Sequence, residues 1–269
     1  MDTQTKRVEL LPAKRRALIL EHLRVNGAAS IQELADTIGG SQSTVRRDLE
    51  HLVDRGYLER THGGAHLIQP ARATFEREEQ VNAELRHAEK VAIGREAARR
   101  LSPGDSVILD GSSTVMEAAR AAAEREIPLT IVTNSLDIAQ FCAGVRQWRV
   151  IVAGGSIRPG FRNLAGHPGE EFIRTLHADI CLTGASAVTG TLLTDSSLEV
   201  ASMKRAMISA ARKTILLVDS SKFTVPGFCT LCDVAELQEV ITDDGIQPDA
   251  LASLKMSETP VSIVPNSRS

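Results

Sequence analysis

Between Pro12 and Gly56 the apolar residues return every three or four positions, whereas beyond Ser106 they gather into short unbroken runs. The first spacing predicts helices with one buried face. "PAKRRALILEHLRVNG" puts Ile19, Leu20 and Leu23 on one side and stops at Asn26-Gly27. "SIQELADTIGG" opens with Ser30 and Glu33 at capping-box spacing, buries Leu34, Ala35 and Ile38, and breaks at Gly39-Gly40. "SQSTVRRDLEHLVDRG" repeats the pattern with Val45, Leu49 and Leu52 and ends at Gly56. "YLERTHGGAHLI" then reads as two short strands about a tight turn at His62-Gly63-Gly64.

Residues 69–104 are polar and charged to about Glu89 and amphipathic after it. They predict a connecting segment, helical from about Phe75, and the first helix of a second unit. From Ser106 the runs "SVILD", "LTIVT", "RVIVAG", "ADICLTG", "TILLVD" and "EVITDD" alternate with helical stretches. Continuous apolar strands separated by helices predict a mostly parallel α/β sheet covered on both faces. The expected boundaries are 1–68 for the first domain, 69–88 for the connection and 89–269 for the α/β domain.

Composition adds limits. No apolar run approaches the ~18 residues that span a bilayer, and "MDTQTKRVELLPAKRR" lacks the apolar core of a secretory signal. Four cysteines in 269 residues are no disulfide framework, so the chain reads as cytoplasmic, with no membrane partner. Residues 1–66 carry ten Lys/Arg against nine Asp/Glu, and the remainder 21 against 25. Nucleic-acid binding would therefore rest on placed arginines, not on a polybasic tail.

The helix, glycine turn and second amphipathic helix form a helix-turn-helix candidate. With Val45, Leu49 and Leu52 inside, the opposite face of the last helix shows Gln42, Ser43, Arg46 and, at one edge, Arg47. Arginine can pair bidentately with guanine, and hydroxyls at a helix start can hold phosphates. The alternative is a solvated helix face neutralised by Asp48, Glu50 and Asp54. His62-Gly63 likewise fits the tip of a wing touching DNA, or a plain hairpin turn.

In the second half, the loops "DGSST", "TNS", "AGGSIR", "TGAS" and "DSSK" all follow candidate strands. Ligands of parallel sheets bind beyond the strand carboxyl ends, so these loops converge on one candidate site. Gly111 admits a close backbone approach, while Ser112, Ser113 and Thr114 offer hydroxyls at a helix N-terminus suited to phosphate. Asn134 and Ser135 follow the next candidate strand and could donate to the same ligand. Gly154, Gly155 and Gly184 lie in the neighbouring loops, and Arg158, Lys204 and Lys222 could balance a phosphate or hold hydroxyls. Asp110 could touch the ligand or cap its loop. Taken singly, D-G-S-S-T is a common turn, and Arg158 and Lys204 could be surface residues.

The stretch "ASIQELADTIGGSQSTVRRDLEHLVDRGYLERTHGGA" resembles the winged helix-turn-helix of the DeoR family of bacterial transcriptional regulators. It has the "ELA" second helix, the S-x-x-T-[IV]-R-R-D-L recognition helix, here with Ser41 and Thr44, and the R-x-H-G-G-A wing. Gly40 departs from the β-branched or apolar residue usual there. "DGSST", "LTIVTNSLDIA", "VAGGSIR", "EVASMKRAMI" and "LLVDSSKF" are similar to the same family's effector half. The resemblance implies a winged helix-turn-helix followed by a sugar-phosphate-isomerase-like α/β effector domain. It implies double-stranded operator DNA and a phosphorylated sugar or polyol as partners, and a homo-oligomer, dimer or tetramer. The expected function is a repressor of a carbohydrate operon. The alternatives are an activator, an isomerase fused to a DNA-binding module, and a constitutive DNA-binding protein.

No cofactor and no catalytic residue is expected. Aligned with the isomerases that the effector half resembles, Thr183, Ser186 and Lys204 stand where catalytic carboxylates belong. A lysine ammonium is a poor general base. "CTLC" puts Cys229 and Cys232 at C-x-x-C spacing, but no second pair or histidine cluster accompanies them, so no metal is expected.

Overall fold

A computed structural model describes residues 10–61, 63–68, 74, 76 and 78–265, and the chain divides into two units at the Leu85–Arg86 bond. The first unit holds α1 (Pro12–Asn26), β1 (Ala28–Ser30), α2 (Ile31–Ile38), α3 (Gln42–Asp54), β2 (Leu58–Arg60), β3 (Gly64–Leu67) and α4 (Glu79–Glu84). The capping box forms as the spacing requires. Ser30 Oγ accepts from Glu33 N, and the Glu33 carboxylate accepts from Ser30 N at 2.7 Å. Gly39 ends α2 in the left-handed conformation, φ 63°, and Ser41 Oγ caps α3 by accepting from Thr44 N at 3.1 Å. Ile19, Leu23, Leu34, Val45, Leu49 and Leu52 close the core, each such side chain contributing roughly 1.5–3 kcal/mol by burial.

Two features differ from the sequence reading. The hairpin is part of a three-stranded sheet, order β1-β3-β2, because Ala28–Ser30 pairs with β3 before Ser30 caps α2. That approach needs Gly64, since a Cβ there would lie 1.9 Å from Ala29 O. The helix expected in the connection is there, as α4, but it belongs to the first unit. α4 packs on α1 with Val81 and Leu85 buried in the first core. Phe75, where helix was expected to begin, lies outside the described residues. Arg86, at φ 55°, separates α4 from the helix that starts at His87.

The second unit runs α5 (His87–Ala98), β4 (Ser106–Leu109), α6 (Ser113–Ala123), β5 (Leu129–Thr133), α7 (Leu136–Ala143), β6 (Trp148–Val152), β7 (Ser156–Ile157), β8 (Leu164–Ala165) and α8 (His167–Arg174). It continues through β9 (Ala178–Thr183), β10 (Ala187–Thr189), β11 (Leu192–Asp195), α9 (Leu198–Ser209), β12 (Ala211–Leu217), β13 (Cys229–Asp233), β14 (Glu239–Asp243), α10 (Pro248–Met256) and β15 (Val261–Val264). Seven strands pair in parallel in the order β15-β14-β12-β9-β4-β5-β6. The six expected strands are all there; the seventh is β15.

Alternate residues of β4 explain the unbroken apolar runs. Val107 and Leu109 pack in one buried cluster with Val115 and Ala118 of α6, and Ile108 in another with Met203 and Met207 of α9. Both faces are covered, so both faces are apolar. A small antiparallel sheet, order β10-β11-β13, and the β7–β8 hairpin complete the unit. Among the described residues no helix is long and apolar enough to cross a membrane.

Strand order reverses at the centre of the large sheet. From β4 the chain builds outward through β5 and β6, then returns with β9 on the other side. The crevice of such a sheet lies beyond the carboxyl ends of the two strands at the reversal, here β4 and β9.

Candidate functional site

In the first unit, Ser41, Gln42, Ser43, Arg46 and Arg47 are exposed on α3 and Thr44 is half-buried. Two of the three acids invoked to neutralise the arginines, Asp48 and Glu50, are engaged elsewhere. Asp48 is buried and accepts from Arg15 Nε at 2.8 Å and Arg16 Nε at 3.3 Å, tying α3 to α1. Glu50 accepts from Arg60 of β2 at 3.1 Å, and the same guanidinium donates to Arg46 O at 3.2 Å. No ion pair holds Arg46 or Arg47 among the described residues. Ser41 Oγ lies 2.7 Å from Ser43 Oγ and 2.9 Å from Thr44 Oγ1, so the hydroxyls form one cluster at the helix start. Gly63 is exposed, and its carbonyl accepts from Ile31 N at 2.9 Å, which fixes the turn against α2. His62 lies outside the described residues. Sequence reasoning passed over Gln32 and Arg60, which meet α3 from α2 and β2.

In the second unit, Asp110 lies at the strand reversal and is 1% exposed. Its Oδ1 accepts from Ser112 N at 2.8 Å; its Oδ2 accepts from Ser112 Oγ, Thr183 Oγ1 and Gly184 N, each at 2.9 Å. The carboxylate thereby joins the loops after β4 and β9. The Lys204 ammonium, from α9, lies 3.3 Å from Asp110 Oδ2 and 3.2 Å from Asp195 Oδ2 and donates to Gly184 O at 3.0 Å. Burial opposes its charge, yet Asp195 and Asp110 hold its pKa above the ordinary lysine value. Asp195, which the sequence did not single out, is also buried; against that burial, Lys204 and Ser196 N hold its pKa below the ordinary carboxylate value.

Because Ser112 Oγ turns to Asp110, α6 begins without a side-chain cap. By contrast, Ser135 caps α7 and Ser197 caps α9. Gly184 and Gly111 are needed for close packing. A Cβ on Gly184 would stand 2.5 Å from Ser112 Oγ, and one on Gly111 would stand 2.0 Å from Asn163 Oδ1. Ser113 and Thr114 form the first turn of α6, and Thr114 is buried.

The next loop follows β5. Asn134 Nδ2 donates to Leu164 O at 2.7 Å, which leaves Asn134 Oδ1 buried without a donor. Asn163 Nδ2 donates to Gly111 O at 3.3 Å. The segment 162–165 therefore straps the ends of β4 and β5 together. Gly154 and Gly155 enter the β7–β8 hairpin that delivers this strap; Gly155, at φ 141°, comes within 2.6 Å of Ala165 O by its Cβ position. Arg158 lies in the same hairpin with its guanidinium 4.4 Å from the Phe161 ring centroid. Lys222 ends the short turn Ser220–Lys222 after β12 and, with Lys90, lowers the pKa of buried Asp219 against its desolvation.

Asp110, Gly111, Ser112, Gly184 and Lys204 thus share one contact network, with Asn134 reached through Asn163 and Leu164. Cys229 donates to Asp195 O at 3.3 Å, and burial pushes the Cys232 thiol up to about 12. Neither thiol is poised as a thiolate. Among the described residues no group of three or more His, Cys, Asp or Glu is placed to hold a metal ion.

Both units match known families. Residues 15–71 match the DeoR-like helix-turn-helix domain and residues 85–244 the DeoR C terminal sensor domain. The chain is 30% identical over 257 residues to the uncharacterized HTH-type transcriptional regulator YgbI of Escherichia coli (strain K12), covering 96% of this chain and 100% of that one. It is 32% identical over 234 residues to the transcriptional repressor AccR of Agrobacterium fabrum, covering 86% and 89%. Among solved structures, ribose 5-phosphate isomerase A of Methanocaldococcus jannaschii is similar at 17% identity and a TM-score of 0.38, with 50% of this chain matched to 53% of that one. This chain therefore spans about half the length of that enzyme.

Proposed function

Because the chain belongs to the DeoR family of transcriptional regulators, we propose that it represses a carbohydrate operon and releases it when a phosphorylated sugar or polyol binds at the carboxyl edge of the second unit's sheet. The observation that carries the ligand site is the uncapped start of α6 at the strand reversal. A helix start without a side-chain cap leaves backbone N–H groups and the positive end of the helix dipole for an anion. Asn134 Oδ1, buried without a donor beside it, suits a sugar hydroxyl, because leaving such an acceptor unpaired costs about 1–3 kcal/mol. Gly111, Ser112, Ser113, Thr114, Asn134 and Ser135 are the residues proposed to line the site. Asp110 and Lys204 hold its floor, and Arg158 and Lys222 are cations for the ligand's outer edge.

The same geometry favours binding over turnover. A general base must be able to take a proton from its substrate. Asp110 already accepts four hydrogen bonds and faces the Lys204 ammonium, while Asp195 shares that ammonium.

On the DNA side, the exposed arginines of α3 are the proposed readers, with the Ser41–Thr44 hydroxyls and the wing on the backbone. Two half-sites read at once need a symmetric oligomer, a dimer or tetramer. Release follows by linkage: the ligand weakens operator binding only by its differential affinity for the two conformations. A gel shift on the DNA upstream of the chain's own gene, run with a panel of sugar phosphates, tests the whole reading. Release by a phosphorylated sugar is expected. A shift that no sugar phosphate reverses would overturn the sensing half, and interconversion of an aldose and ketose phosphate by the pure protein would overturn the non-enzymatic reading.

A further inference from the structure

Gln42 is the first residue of α3 and is exposed. Its Nε2 donates to Gln32 Oε1, on α2, at 2.6 Å. Gln32 Nε2 in turn donates to Asp36 Oδ1, one turn further along α2, at 3.0 Å. An ionised carboxylate can only accept, so this relay has one direction. Gln32 must give its NH2 to Asp36 and its carbonyl to Gln42, and Gln42 must then give its NH2 to Gln32. A free glutamine amide presents either edge; this one cannot turn over without losing hydrogen bonds.

What remains to Gln42 is one acceptor, Oε1, beside one N–H, in a fixed order. In the major groove adenine offers the complement, an N6–H donor beside the N7 acceptor. Guanine presents two acceptors there, cytosine a donor alone, and thymine an acceptor and a methyl group. Adenine alone satisfies both groups of the amide. The first residues of a recognition helix are the ones that meet base edges. Arg46 and Arg47 carry only donors and suit guanine or phosphate instead.

We propose that Gln42 reads an adenine in each operator half-site, and that Asp36 and Gln32 act as positioning residues that fix its amide for that base. The inference rests on α3 being the DNA-reading helix. The test is selection of binding sites from a randomised duplex library by the full chain, in parallel with the Gln42→Ala, Gln32→Leu and Asp36→Ala variants. The wild type is expected to select an adenine at one position of each half-site, and Gln42→Ala to lose that preference there and nowhere else. Gln32→Leu and Asp36→Ala should weaken the same preference by about three- to tenfold, with the rest of the motif intact. A merely structural role would weaken every position alike. Placing 7-deazaadenine, which lacks the N7 acceptor, at that position should weaken wild-type binding about tenfold and leave Gln42→Ala unchanged. A motif unaltered in Gln42→Ala, or no response to the deaza base, overturns the inference. Should the wild type select no motif at all, the DNA-reading role of α3 falls, and this inference with it.

Discussion

Lys204 Nζ lies 3.3 Å from Asp110 Oδ2, joining α9 to the loop that closes β4. A single ammonium therefore serves two buried carboxylates, Asp110 and Asp195, at the centre of the sheet's carboxyl edge. Lys204→Met removes that shared cation. Breaking a buried pair from one side costs about 3–5 kcal/mol, and urea unfolding of the full chain should show a loss of that size in the second unit's transition. A wild-type midpoint in this variant would show that the cluster contributes nothing net.

The pH dependence has a definite sign. Lys204 has a raised pKa, so its contribution is present below the ordinary lysine value of ~10.4 and is lost as pH rises through the folded value. Asp195 has a lowered pKa, so its contribution is present above ~3.9 and is lost as pH falls through the folded value. In Lys204→Met the Asp195 carboxylate stays buried without its cation, which raises its folded pKa. The variant's deficit should therefore shrink as pH falls from about 7 towards 5. Equal deficits across that range, in matched urea titrations, would sink this account.

Asp48→Ala is a different kind of break. Asp48 is 1% exposed and takes both Arg15 and Arg16 from α1. Its loss leaves the partly buried Arg15 guanidinium without a carboxylate and Arg16 with only Glu78, 3.9 Å away, and should destabilise the first unit by about 3 kcal/mol. Thermal melts should show the loss, and operator affinity at low temperature should fall no more than the unfolded fraction requires. A large affinity loss in a fully folded variant would place Asp48 in the interface itself.

What was legible in the chain was whatever is decided by near neighbours. The capping box of Ser30 and Glu33 and the cap at Ser41 depend on residues three apart. The central strands were legible because Val107 and Ile108 bury opposite faces, which forces an unbroken apolar run. β1 was not, because Ala28–Ser30 is only three residues long and Ser30 already reads as a helix cap. The loops at the sheet's carboxyl edge were legible as polar stretches after each strand, but the contacts within them were not. Nothing in the sequence sets Lys204 between Asp110 and Asp195, because the helix α9 that carries it meets two carboxylates from β11 and the loop after β4. Asn163 was invisible as a site residue because it reaches Gly111 across 52 positions, delivered by a hairpin of two-residue strands.

Arg46→Ala tests the reading face. An arginine that pairs with a base is worth about 1–3 kcal/mol of specific binding, and fluorescence anisotropy on the operator measures it. Arg47, at the edge of the same face, should behave as a phosphate contact if it leaves specificity intact and lowers the salt slope by about one. Unchanged affinity in Arg46→Ala would remove that side chain from the interface.

Ser113→Asp tests the ligand edge. A carboxylate in the first turn of α6 would occupy the positive end of the helix and repel an incoming phosphate. Operator binding should persist while release by sugar phosphate is lost, as read by the same gel shift. Release at wild-type concentrations would move the phosphate site away from α6.

The pairing of β4 with β9 also has a bearing on how the protein is made. Leu109 meets Leu182, and Asp110 reaches Thr183 across 73 positions. Contacts so far apart along the chain form late, since the intervening loop must close before any of them stabilises the fold. The first unit has no such wait: its sheet joins Ala28 to His66. Domains fold as units in the order they emerge during synthesis. Each new molecule can therefore close the core of its helix-turn-helix unit while the centre of the second unit's sheet is still open.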